Sequence, residues 1–208
     1  VAVLNRDDKA YPVWAARAAG RRILGFGLES PLADFTAGLI GHDERGCPNF
    51  TLAGPSGTAR IQLNLLGRHN IANALAAAAA AHALGVALPA IVDGLQTLQP
   101  VKGRGVAQML GNGVRLIDDS YNANPASICA AIDVLSGFAG RRLLVLGDMG
   151  ELGEWAEEGH REVGAYARGK IDALYAVGPL MAHAVAAFGV GARHFADQAS
   201  LIEALRAE

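Results

Sequence analysis

Cysteine is scarce: the 208 residues include two, Cys47 and Cys129, far apart and in unrelated surroundings. No metal-type pair is possible, and the usage suits a reducing compartment. Cys129 reads as a small buried hydrophobe rather than a nucleophile. An excess of either charge is also lacking, since the formal net charge is −2. That removes any electrostatic reason to expect nucleic acid or an anionic membrane surface. No apolar run is long and charge-free enough to span a bilayer, so no membrane insertion is expected. There is no GxxGK[ST] phosphate cradle, no internal repeat, and no low-complexity segment beyond one alanine run. The first residues, VAVLN, have neither an initiator Met nor the charged and apolar regions of a signal peptide, and the last ones read as a helix with no strand after it. The expectation is a chain cut from a longer one at both ends.

With 51% apolar residues, the length allows one large domain or two small ones with real cores. The first half predicts a strand in VAVLNRDD that delivers Asn5, Asp7 and Asp8 to its carboxyl end, then a helix over Tyr11 to Ala19 and a short strand in RRILGFG. From Phe35 to Leu66, short β runs alternate with the turn clusters HDERGCP and GPSG, which predicts antiparallel hairpins. Ile71 to Leu84 is dominated by strong helix formers, with Gly85 as its C-terminal cap. Gly67, Arg68, His69 and Asn70 stand at its N-terminal end, where free N–H groups and the helix dipole favour anions. Asn70 and Asn73 share a face, so both amides can address one ligand. Either could equally be an ordinary helix-end residue.

After a further helix over Leu88 to Leu98, LQPVKGRG breaks the pattern. The domain boundary is placed here, giving domains 1–101 and 102–208. Arg104, between two glycines, either swings toward phosphate or is a solvated linker residue. Beyond it the pattern alternates regularly: strand to Ile117, helix to Leu135, strand Arg142 to Leu146, helix Glu157 to Arg168, strand Ala173 to Val177, helix Leu180 to Phe188, a short strand near His194, and helix Ser200 to Arg206. The fold class is therefore α/β, with an antiparallel β segment followed by a parallel sheet covered on both faces.

One stretch, LIDDSYNANPAS from Leu116 to Ser127, turns a strand into a helix through a loop crowded with polar groups. Asn124 is its natural N-cap and Pro125 suits the first turn. In open α/β sheets, ligands bind beyond the carboxyl ends of parallel strands, which points to this loop, unless it is only a capped turn. The loop GDMGELGE places Asp148, Glu151 and Glu154 at a second strand end, near the first loop if the strands are neighbours. His160 could reach the same region.

Together, LNRDD, GRHNIANALAAAAAAHALG, KGRG, IDDSYNANPAS and LVLGDMGELGE, followed by His160 and Val163-Gly164, resemble the Mur ligases of peptidoglycan synthesis. DDSYNANP with GDMGELG resembles the type that joins D-alanyl-D-alanine to UDP-N-acetylmuramoyl-tripeptide. The resemblance implies a partial central ATPase domain and a Rossmann-like C-terminal domain. It also implies a P-loop, magnesium ligands and a carbamylated lysine before Val1. His69, Asn70 and Asn73 match the family's HNxxN element, with the two asparagines serving the adenine end of ATP. Arg104 matches the arginine that reaches the ATP phosphates, and Asp119 the acidic residue at the ribose, with Asp118 as a frame-shifted alternative. Tyr121, Asn122 and Asn124 belong to the type-specific loop and are assigned to the dipeptide. Asn5 and Asp8 are assigned a supporting place near the nucleotide. A cytoplasmic monomer is implied, inactive as this fragment alone. Two other readings stay open: a sibling Mur ligase or folylpolyglutamate synthetase-like enzyme, and a noncatalytic nucleotide-binding module.

Overall fold

Period-two alternation puts Pro48, Phe50 and Leu52 on one face of a strand, and that face enters the first of two main cores. In the computed structural model, which describes every residue except Asn112, the chain divides into two compact units, Val1–Asp118 and Asp119–Glu208. Among the described residues no helix is long and apolar enough to cross a membrane.

In the first unit, β1 (Ala2–Asn5) and β2 (Ile23–Phe26) run parallel, connected through α1 (Tyr11–Arg17). The strands β3 (Thr36–His42), β4 (Pro48–Gly54) and β5 (Gly57–Gln62) form an antiparallel meander in that order, as the hairpin pattern predicts. Two helices follow, α2 (Arg68–Ala83) and α3 (Leu88–Thr97). The buried residues of α2 are Ile71, Ala74, Leu75, Ala78 and Ala79, spaced three and four apart along one stripe. Methyl-sized side chains on that stripe let the helix lie against β1, β2 and β4. The helix begins three residues before Ile71, directly after Gly67, so Arg68, His69 and Asn70 form its first turn.

The end of this unit departs from the expected parallel pattern. The strand β7 (Arg115–Asp118) pairs antiparallel with β6 (Val106–Met109), for which the sequence carries no signal, and this hairpin forms its own two-stranded sheet. The polar loop after Asp118 therefore does not follow a parallel strand. Residues 106–109 are mostly exposed, so they carry no alternating core signal to read.

In the second unit, α4 (Pro125–Ser136) leads to β8 (Leu143–Gly147), a short 3₁₀ turn (Gly153–Trp155), α5 (Ala156–Ala167), β9 (Ala173–Val177), α6 (Met181–Phe188), β10 (Ala192–Phe195) and α7 (Gln198–Arg206). The three strands are parallel in the order β10-β9-β8. Leu174 and Ala176 of the central β9 face the core that includes residues of α4, α5 and α6, whereas Ala173 and Tyr175 face the smaller one that includes Leu201 of α7. Both faces of this sheet are covered, as the alternating pattern predicts. The helices α5 and α6 cross closely at Gly164, where a Cβ would lie 2.7 Å from Ala184 Cα and nearer still to its carbonyl oxygen.

Candidate functional site

The carboxyl end of β1 and the first turn of α2 are tied together by side chains in the first unit. Asn5 Oδ1 accepts the backbone N–H of Asp7 at 2.9 Å, which fixes the strand end. The Asp7 carboxylate accepts three backbone N–H groups from a loop far along the chain, those of Leu28 (2.6 Å), Ser30 (2.9 Å) and Glu29 (3.2 Å). Partial burial pushes the Asp7 carboxyl up, but the three donors and the charge of Arg68 outweigh it and hold the group below its ordinary 3.8. Glu29 in turn pairs with Arg68 at 2.5 Å, beside His69. The link was not legible in the sequence, because its donors are irregular backbone more than twenty residues away. Asp8 accepts the N–H of Ala10 and shapes the turn into α1.

Asn70 and Asn73 lie on one face of α2, as their spacing predicts, and His69 stands beside Asn70. Asn70 Nδ2 donates to Leu66 O at 2.8 Å and lies 3.1 Å from His69 Nε2, which must accept because an amide NH₂ cannot. Asn70 Oδ1 accepts from Asn73 Nδ2 at 3.1 Å. Asn70 is thus largely occupied as a brace, and Asn73, which gives it one N–H, is exposed. Arg104 is exposed on a bend, between glycines at φ 75° and 65°, with its N–H donated to Val101 O.

In the second unit, Asp119 is exposed, as is Tyr121 at 65%. Asn122 Oδ1 accepts the N–H of Ala123. Asn124 caps α4 in a reciprocal box: its Oδ1 accepts from Ser127 N at 2.9 Å, and its own N–H is donated to Ser127 Oγ at 3.0 Å. The cap and the proline at the first turn are as expected. Capping uses the Asn124 side-chain carbonyl, and the residue is otherwise exposed.

The two polar loops meet within this unit, though not as neighbouring strand ends. Their meeting point is Gly159 of α5, where a Cβ would stand 3.0 Å from Pro125 Cγ and 3.1 Å from Leu152 Cδ1. Pro125 closes the first loop and Leu152 lies in the second, so one small residue on α5 seats both. At the end of β8, Asp148 accepts from Met181 N at 2.9 Å, at the N-terminus of α6. Gly178 lies so near this carboxylate that a Cβ would be 2.7 Å from Asp148 Oδ2, and its φ is +116°. Only glycine satisfies both demands.

His160 is fully buried, with Nε2 accepting Met149 N–H at 2.9 Å and Nδ1 donating to Ala156 O at 2.6 Å. Nε2 also lies 4.0 Å from Asp148 Oδ1, but its lone pair serves Met149 and it carries no proton to share there. Glu151 is exposed with φ +61°, and Glu154 lies in the 3₁₀ turn. Among the described residues no group of three or more His, Cys, Asp or Glu side chains gathers as a metal ion would require.

Comparison with known proteins identifies the family. The Mur ligase middle domain matches residues 1–81, and the Mur ligase glutamate ligase domain matches residues 104–208. A UDP-N-acetylmuramoyl-tripeptide–D-alanyl-D-alanine ligase of Escherichia coli K12 is 42% identical over 208 residues, covering 99% of this chain and 45% of the relative. The crystal structure of MurF from Acinetobacter baumannii superposes with a TM-score of 0.91 at 32% identity, covering 99% of this chain and 44% of that one. MurF from Thermotoga maritima, solved in complex with ADP, shares the fold at a TM-score of 0.83 and 24% identity, covering 99% and 46%. The chain thus spans less than half the length of each of these relatives. With both domain models matched in order and nearly every residue superposed on such a structure, the chain belongs to the Mur ligase family.

Proposed function

We propose that this chain supplies residues of the nucleotide and dipeptide sites of a MurF-type ligase, which joins D-alanyl-D-alanine to UDP-N-acetylmuramoyl-tripeptide at the expense of ATP. The observation that carries the reading is 42% identity across almost the whole chain with a ligase of that specificity. In this reading the tripeptide's terminal carboxylate attacks the γ-phosphate of ATP and ADP leaves. The dipeptide amine then attacks the acyl phosphate, forming the amide and releasing inorganic phosphate.

Residues of this chain would bind and orient. Asn73, braced by Asn70 with His69 beside that second amide, takes the adenine end, and Asp119 takes the ribose. Arg104 offsets charge developing on the phosphates. Tyr121, Asn122 and Asn124 line the dipeptide site. The division between the two family domains would fall at residues 101 and 102, ahead of the β6–β7 hairpin that belongs to the first compact unit. Magnesium would neutralise phosphate charge, and the resemblance assigns its ligands outside residues 1–208. The complete enzyme would work as a monomer in the cytoplasm.

The test is phosphate release from ATP by the complete ligase containing this chain, with UDP-N-acetylmuramoyl-tripeptide and with or without D-alanyl-D-alanine. Release that requires both substrates is expected. Release indifferent to the dipeptide, or satisfied by a single amino acid or by glutamate on a folate, would point to a sibling enzyme. Nucleotide binding with no turnover would point to a binding module.

A further inference from the structure

The loop from Gly147 to Gly153 is exposed at Gly150 and Glu151 but anchored on both sides of them. Met149 is 2% exposed with its side chain in the core, and Leu152 packs against the same core. Between these anchors Glu151 adopts φ +61°, a left-handed conformation that a non-glycine residue keeps only where its surroundings impose it. One group that holds the loop from within the core is His160. Its Nε2 takes the Met149 N–H, and its Nδ1–H is fixed on Ala156 O of its own helix, so the ring cannot turn without breaking a bond. An apolar side chain could fill the same space but would leave a buried N–H unpaired. The same stretch of α5 seats Pro125 and Leu152 over Gly159, the residue before His160. One turn of helix therefore sets the height of both loops.

We propose that His160 is a positioning residue that holds the 147–153 loop as one wall of the dipeptide site. This rests on the ligase function proposed above. His160 touches no substrate and acts through Met149 and the backbone beyond it.

The experiment compares His160→Leu and His160→Gln in the complete ligase, measuring kcat, KM for D-alanyl-D-alanine, KM for ATP and thermal melting. His160→Leu is expected to raise KM for the dipeptide about tenfold, with KM for ATP within about twofold, because a small displacement of a positioning loop is costly at one substrate only. In His160→Gln the amide oxygen reaches Met149 N–H and restores most of the loss. Should the leucine variant not fold, His160→Asn replaces it, polar but too short to reach. An unchanged dipeptide KM, a KM for ATP that rises in step, or a glutamine variant as impaired as the leucine one would each overturn the proposal. Dipeptide-independent phosphate release by the unsubstituted enzyme would overturn the ligase reading and this one together. Dipeptide-dependent release with flat KM values in the variants overturns this one alone.

Discussion

The carboxylate of Asp148 accepts the backbone N–H of Met181 at 2.9 Å, so the end of β8 caps a helix that follows the next strand. The residue that would normally cap α6, Leu180, has no side-chain oxygen to do so. Asp148→Ala is expected to destabilise the protein by about 1–2 kcal/mol, the usual loss for an N-terminal cap, and Asp148→Asn by less. Urea titrations of the two variants check this. Equal stability of Asp148→Ala and the unsubstituted chain would remove the cap from the account.

The α5–α6 crossing leaves no room for a methyl group at Gly164. Gly164→Ala drives Cβ into the backbone of Ala184, which no rotamer change can relieve. The expected cost is about 3 kcal/mol, at the upper end of ordinary overpacking because the obstacle is main chain. Gly94, on α3 with open space around it, serves as the control. Gly94→Ala is expected to be neutral or stabilising by about 0.5–1 kcal/mol. If both alanine variants melt alike, the close crossing is wrong.

Asp7 gives the first unit an acid-sensitive tie. Its carboxyl is held below 3.8 in the folded protein, so its contribution is fully present above that value and fades as pH falls through the lower folded value. Asp7→Asn should lower stability at pH 7, and the gap to the unsubstituted chain should narrow on acidification below about pH 4. Denaturant titrations at pH 7, 4 and 3 report it. A gap that stays constant over this range would mean that the carboxylate charge is not what holds the loop.

For the proposed nucleotide site, Asn73→Ala and Asn70→Ala should separate. Asn73 is exposed and its loss should weaken ATP binding about tenfold without altering the melting temperature, the size of one good hydrogen bond to a ligand. Asn70→Ala removes the bond to Leu66 O as well as the brace on Asn73, so it should lower both affinity and stability. Isothermal titration with a nonhydrolysable ATP analogue, beside thermal melts, distinguishes them. Unchanged affinity in both variants would take the HNxxN element out of the site.

Elements with a strong local signal were legible. The alanine-rich stripe of α2, the apolar run of β9 and the Asn124–Pro125 helix start each follow from the residues alone. What escaped depended on distant partners. The antiparallel pairing of β6 with β7 changed the setting of the loop after Asp118, and four mostly exposed residues gave no pattern to reveal it. Asp7 looked like one of three polar residues at a strand end, because a backbone donor carries no side-chain signature. His160 carries a signal of its own. It lies three and seven residues before Val163 and Ala167, on the stripe that α5 buries, and a polar ring at such a position needs a partner.

In the second unit β9 lies beside β8 and β10 beside β9, giving the order β10-β9-β8. A polypeptide leaving the ribosome could therefore assemble this sheet one strand at a time, with β9 docking on a completed β8 and β10 on β9, without waiting for any later segment. The growing edge of the sheet would always be its newest strand, and that edge, like the outer side of β8, is where a chaperone or a stalled nascent chain would find exposed backbone.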